Sequence, residues 1–432
     1  MKKLLTHYSI AFLLFSTVVV FAQQKSKPTA DIYTTEITNL IKNNLVVKAF
    51  QEIERLEPTT IKELIELTEI EAPPFKESIR ATKMKQLFEA AGADKVWIDS
   101  VGNVLALRKG KKSTKAVVLD AHLDTVFPAS TDVKVKHHGD TLYAPGIGDC
   151  TRGLISILTV LRALEKAQIE TNMDILFVCS VGEEGLGDLR GVKYLFSKND
   201  FNIHSWISVD GSTDHEIVTG SLGSVRYKAI ITGPGGHSWV DFGLGNPHHA
   251  MAKSLNYFVE AATLFTNNVA KTSFNVGRTG GGTSINAIPF ESWAEIDMRA
   301  ESSKNLKAMD SIFKLSMMKG LNEYNQQILK GAKLAMSLSQ VGYRPTGLTP
   351  VDAPLVMHAQ AAVNAFGKKP KLVTESTNAN VPTSKGIPAI TISWGGKSDH
   401  FHSLNEWWLN DKGAEGIKLA LLITLSEAGI WK

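Results

Sequence analysis

Apolar positions along this 432-residue chain fall into three patterns. The first is a set of short, unbroken runs rich in β-branched residues: Ala116–Ala121, Asp174–Ser180, Trp206–Asp210 and Ala389–Trp394. Runs without alternation suit strands buried on both faces, as in parallel sheets. The second pattern is helical. Leu154, Ile155, Ile157, Leu158, Leu161 and Leu164 share one helical face, with Thr151 placed to cap that helix. Strands alternating with such helices predict an α/β domain with a mostly parallel sheet. The third pattern occupies the middle of the chain. From Ser224 to Thr232, Val225, Tyr227, Ala229 and Ile231 alternate with Arg226, Lys228 and Ile230. A helix is predicted over about His249–Phe265, strands over Ser273–Val276 and Glu291–Arg299, a second helix over about Lys304–Met318, and a last strand within Gln327–Leu338. The order β-α-β-β-α-β predicts a small α+β, ferredoxin-like domain with one half-exposed sheet. The α/β pattern resumes near Pro350, so the main domain spans 30–221 and 342–432, interrupted by an inserted domain at 222–341.

The first residues carry a different signal. Lys2 and Lys3 precede an apolar run, Ile10–Ala22, that ends in Val20-Phe21-Ala22. This predicts a secretory signal peptide over 1–22, and hence an exported protein, periplasmic or secreted. The run is short for a membrane span, and a retained anchor is the alternative. Charge then excludes one class of partner. Lys and Arg number 47 against 43 Asp and Glu, and losing the leader's two lysines leaves 45 against 43, or +2. With no basic excess to neutralise phosphates, nucleic acid is not expected as a partner. Two cysteines in this length exclude a disulfide-stapled scaffold, and a hydrophobic share of 43% excludes a disordered chain. Whether Cys150 and Cys179 pair is open at this point.

Candidate chemistry gathers where predicted strands end or helices begin. His122-Leu123-Asp124 follows the first strand, Gly146-Ile147-Gly148-Asp149 precedes the helix, Glu183-Glu184-Gly185 follows the second strand and Asp210-Gly211 the third. A fifth cluster, His402-Ser403 with Glu406, comes much later, with His400 as a competitor for His402. Sites in open α/β sheets lie at the carboxyl ends of strands. In an extended stretch His122 and Asp124 share a face, so the imidazole is placed to bind a metal and the carboxylate to orient it. Each cluster alone has an ordinary reading: a hydrogen-bonded pair, a helix cap at Asp149, a solvated Glu-Glu. Their order along the fold favours a site, and mixed His and carboxylate donors suit Zn²⁺, with Co²⁺ or Mn²⁺ as substitutes.

These motifs, with GGHS at 235–238, NAIP at 286–289, DMR at 297–299 and HSLNE at 402–406, resemble the zinc-dependent exopeptidases and amidohydrolases. That family includes carboxypeptidase G, peptidase T, carnosinase, aminoacylase and acetylornithine deacetylase. The resemblance implies two Zn²⁺ ions with Asp149 bridging, His122 and Asp210 completing one site, and Glu184 and His402 the other. It makes Glu183 the general base, with Asp124 as its catalytic companion, and His237 an oxyanion donor from the inserted lid, often across a dimer interface. Asn286 and Arg299 match substrate-binding positions, and Ser376, Gly395 and Gly396 are expected to line the site from the returning half. Cys150 departs from the pattern, since relatives often carry Asp or Asn there. Peptidase T is the member most similar in look, which implies a di- or tripeptide aminopeptidase. A deacylase or carboxypeptidase acting on N-acyl amino acids is the alternative, and a non-catalytic metal- or peptide-binding protein is a third reading. A homodimer through the inserted domain is also implied.

Overall fold

The computed structural model describes residues 30–211 and 213–431, so the predicted leader at 1–22 lies outside the described residues. Among them no helix is long and apolar enough to cross a membrane.

A nine-stranded sheet forms the body. At its centre Met173–Ser180, Ser113–His122, Asn202–Gly211 and Ala389–Ser393 run parallel. Antiparallel strands flank them: Val104–Arg108 and Lys95–Ile98 on one side, Glu216–Ser221 and Gly347–Leu348 on the other. The unbroken apolar runs have the expected cause, because alternate residues feed opposite cores. Val117, Leu119 and Ala121 enter the larger core beneath helices Gly153–Ala167 and Gly413–Ala428. Ala116 and Val118 enter a smaller core beneath helix Arg190–Lys198.

Residues 223–344 build a separate four-stranded antiparallel sheet in the order Thr272–Gly281, Glu291–Ala300, Gly223–Thr232, Ala335–Arg344. Two long helices, Pro247–Asn268 and Ser303–Gln326, cover one face. Strand Glu291–Ala300 buries every second residue, the period of a sheet with one dry face. Its core, from Val225 to Leu334, is distinct from the two under the large sheet.

Two local expectations fail. Thr151 does not cap the helix: its hydroxyl donates to the Gly146 carbonyl at 2.6 Å, within a wide turn over Ile147–Arg152 that precedes the helix start at Gly153. The last strand also starts later than expected. The preceding helix runs on to Gln326, and the Asn325 side chain, accepting from Leu334 N at 2.9 Å, ties off a loop before Ala335.

Candidate metal centre and active site

Parallel strands place their carboxyl ends on one edge, which brings distant motifs together. His122 is the last residue of its strand and lies in register with Ser180, three residues before Glu183. Asp210 is the penultimate residue of the next strand, and Asp149 sits in the wide turn entering helix Gly153–Ala167. His402 comes from the turn between strands Lys397–Asp399 and Trp407–Leu409. All five named ligand candidates line one cavity of about 510 Å³, together with Glu183. His402 joins this cluster; His400 does not line the cavity.

Asp149 is the hub. One of its oxygens takes the His122 Nε2 proton at 2.9 Å, and the other faces His402 Nε2 at 3.2 Å. Asp210 Oδ1 lies 3.5 Å from the same His122 nitrogen, and Glu184 Oε1 3.0 Å from His402 Nε2. The other nitrogen of His122, Nδ1, donates to the backbone carbonyl of Asp124 at 2.9 Å. That bond fixes the ring so that Nε2 faces the carboxylates.

Two residues brace the cluster from behind. The Asp124 carboxylate accepts from the backbone amides of Glu183, at 3.0 Å, and Glu184, at 2.8 Å. Its carboxylate is 3.7 Å from His122 Nδ1, so Asp124 holds the ring through its carbonyl and the Glu183-Glu184 turn through its side chain. Glu406, fully buried, accepts from the amides of Gly146, at 2.9 Å, Gly148, at 2.9 Å, and Asp149, at 3.0 Å. The loop carrying Asp149 is thereby clasped by a residue 257 positions downstream.

Protonation follows burial. Desolvation pushes Glu184 and Asp210 each up to about 7. Burial also opposes ionisation of Asp149, but hydrogen bonds from His122 and His402 outweigh it and hold its carboxyl below the usual range. Hydrogen bonds to Asp149 and Glu184 push His402 up to about 10. Burial works against a charged His122, yet Cys150 and the carboxylates of Asp210 and Asp149 raise it. Asp124 and Glu406 are pushed up by burial, to about 6 and about 7. Buried carboxylates and imidazoles here share protons in the places a cation would take. Among the described residues two donor groups lie close enough to hold a cation, His122 with Asp149 and Glu184, and His122 with Asp210 and Cys150, while His402 Nε2 stands beside Asp149 and Glu184; such nitrogen and carboxylate donors fit a divalent metal. Cys150 is the one sulfur nearby; it is buried and free, donates to Val209 O at 3.3 Å, and does not pair with Cys179, which is also free.

The remaining candidates divide. Arg299 and Ser376 line the cavity. Arg299 Nε donates to Asp297 at 2.7 Å, and Arg226 grips the other Asp297 oxygen at 2.9 Å. Gly395 and Gly396 do not line it, although their neighbour Trp394 does. Both have φ +83°, and an added Cβ would meet Gly413 O at 2.2 Å or Trp408 Nε1 at 2.6 Å. Gly395 packs against the start of helix Gly413–Ala428, and Gly396 against Trp408 and Leu409 of the strand before it. His237 and Asn286 also lie outside the cavity of their own chain. They sit on an exposed ribbon where Gly236-His237 pairs with Ala287-Ile288, flanked by exposed Trp239, Phe242 and Ile285. Two arginines of the cavity carried no motif: Arg226, visible only as the polar side of an alternating strand, and Arg344, treated below.

A sequence profile of peptidase family M20/M25/M40 matches residues 118–425. The uncharacterized protein YqjE of Bacillus subtilis (strain 168) is 24% identical over 378 residues, 81% of this chain and 93% of its own length. Among solved structures, aminopeptidase PepT from Bacillus cereus ATCC 10987 superimposes with a TM-score of 0.68 at 20% identity, covering 85% of this chain and 98% of PepT. Human carnosine dipeptidase 1 gives a TM-score of 0.70 at 16% identity, covering 89% and 99%.

Proposed function

From its place in peptidase family M20/M25/M40, to which this chain belongs as a metal-dependent hydrolase, we propose that it is an exported di-zinc aminopeptidase acting on di- and tripeptides. The observation that carries the reading is Asp149, which turns one oxygen to His122 and the other to His402. In this reading Asp149 would serve two Zn²⁺ ions, one held also by His122 and Asp210 and the other by Glu184 and His402. The ions supply Lewis acidity, polarising the scissile carbonyl and lowering the pKa of a water. Glu183 takes a proton from the attacking water and hands it to the leaving amine. Asp124 keeps Glu183 and Glu184 turned into the cavity through their amides. Arg299 holds a substrate carboxylate with the guanidinium edge that Asp297 leaves free. Export rests on the leader pattern at 1–22.

His237 donates to the developing oxyanion, with Asn286 beside it, from a second copy of the chain. Its own cavity lacks both residues, and the apolar side chains around the ribbon, Trp239 at 84% exposure among them, suit burial against another surface. Arg226 and Arg299 facing the cavity also favour a second reading, since they anchor the carboxylate of an N-acyl amino acid as readily. Offering a tripeptide and its N-acetylated form in parallel separates the two. Release of the first residue from the free-amine peptide alone supports the aminopeptidase; cleavage of only the acylated form overturns it.

A further inference from the structure

Arg344 ends the lid strand Ala335–Arg344 and lies in register with Ser224, where the other lid strand begins. Just beyond, Gly347-Leu348 pairs with Gly220-Ser221 in the large sheet. Both crossings between the sheets therefore run side by side, and Arg344 stands at the crossing point. Its side chain is buried and reaches the active site. Nη1 donates to Glu183 Oε1 at 2.8 Å and to Ser376 Oγ at 3.1 Å, while Nη2 donates to the Glu183 backbone carbonyl. A bidentate clamp of this kind fixes direction as well as charge.

Other contacts fasten the same segment to the lid. Arg226 Nη1 donates to Gly185 O at 2.9 Å, Tyr343 N donates to Asp188 Oδ1 at 2.9 Å, and Lys193 links Asp188 to the Tyr343 carbonyl. The segment is strained, since Asp188 and Leu189 hold φ of +53° and +58°. A bulky residue stays in the left-handed region only when its surroundings dictate it.

We propose that Arg344 is a positioning residue for Glu183, fixing one carboxylate oxygen so that the other is aimed at the water, and tying that aim to the seating of the lid on residues 183–188. This rests on the reading of Glu183 as general base. It gives the strained segment a purpose: when the lid shifts, the base shifts with it.

The test is Arg344→Met, Arg344→Lys and Arg344→Gly in the full chain, with Arg278→Met, an exposed lid arginine, as control. Arg344→Met is expected to lower kcat roughly 10- to 100-fold, as a misaimed group does, with KM and bound zinc within about twofold of the parent. Arg344→Lys is expected to fall between, because an ammonium cannot span the carboxylate and the carbonyl together. Added guanidinium ion is expected to restore about tenfold in Arg344→Gly. Near-parental kcat in Arg344→Met, or parallel loss of kcat, zinc and melting temperature without guanidinium rescue, overturns the proposal. If the parent cleaves no amide, the aminopeptidase reading falls. Amide exchange over 183–189 then decides this inference: faster exchange in Arg344→Met upholds it, and unchanged exchange sinks it. Should Arg344→Met not fold, Asp188→Asn loosens the same segment from its other end and is read in the same way.

Discussion

The two banks of the cavity are built on opposite terms. The sheet bank is braced, and dry except at its rim: His122 is 1% exposed and its partners are clasped by Asp124 and Glu406, while the His402 side chain is 54% exposed. The lid bank is half wet. Arg299 and Arg226 share Asp297 on the open side of a four-stranded sheet, and His237 stands in solvent outside its own cavity. The difference separates two tasks. In the proposed reading the ligands must be in place before the cation arrives; four stand on the braced, largely buried edge and His402 reaches in from an exposed turn. Groups that meet the substrate need to approach and withdraw, and the less buried bank carries those.

Substitutions can set one bank against the other. The largest effect is expected at the hub. Asp149→Asn removes the charge shared by both histidines, so bound zinc should fall well below that of the parent and hydrolysis by about 10³-fold or more, checked by metal analysis beside peptide turnover. Zinc retained at the parental level would show that Asp149 is not a bridge. On the lid bank His237→Ala should lower kcat roughly 10²-fold, the scale of a lost oxyanion donor. Its zinc content should stay unchanged, and that contrast is the sharpest test of the division. The smallest effect concerns protons. Glu184 and Asp210, both raised to about 7, must be deprotonated to bind a cation. Zinc affinity measured by competition should therefore climb steeply as pH rises towards 7 and go on climbing above it, since His402, pushed up to about 10, must also lose its proton. A pH-independent affinity between 5 and 7 would contradict the protonation described.

The sheet bank was far more legible in the sequence than the lid bank. Unbroken runs such as Asp174–Ser180 announce a two-faced strand, and acids or histidines at three strand ends and one helix entry announce a site. These are local signals, and parallel pairing turns them into proximity. The lid's fold was equally visible in the alternation of Ser224–Thr232, but its contribution to the cavity was not. Arg226 looks like any outward residue of a half-buried strand. Arg344 reaches Glu183 across 161 positions, and nothing in its neighbours Tyr343 and Pro345 marks it. Gly395-Gly396 is ambiguous for the opposite reason: a glycine pair looks like room for substrate, and in the fold Gly395 makes room for helix Gly413–Ala428 and Gly396 for Trp408. Glu406 was noticed only as a neighbour of His402, because a carboxylate that serves three backbone amides leaves no trace in spacing.

That clasp has a consequence for the order in which the molecule is made. The Asp149 loop is translated early, while Glu406 and His402 emerge near the end, after the whole lid has been synthesised. Until then three amides of the loop have no carboxylate to meet, and the first four ligand motifs lack the fifth. Cation affinity is thus a property of the finished chain. Nascent or C-terminally clipped molecules hold an open half-site, so a cell making this hydrolase does not release a working active centre before the last strand is laid down.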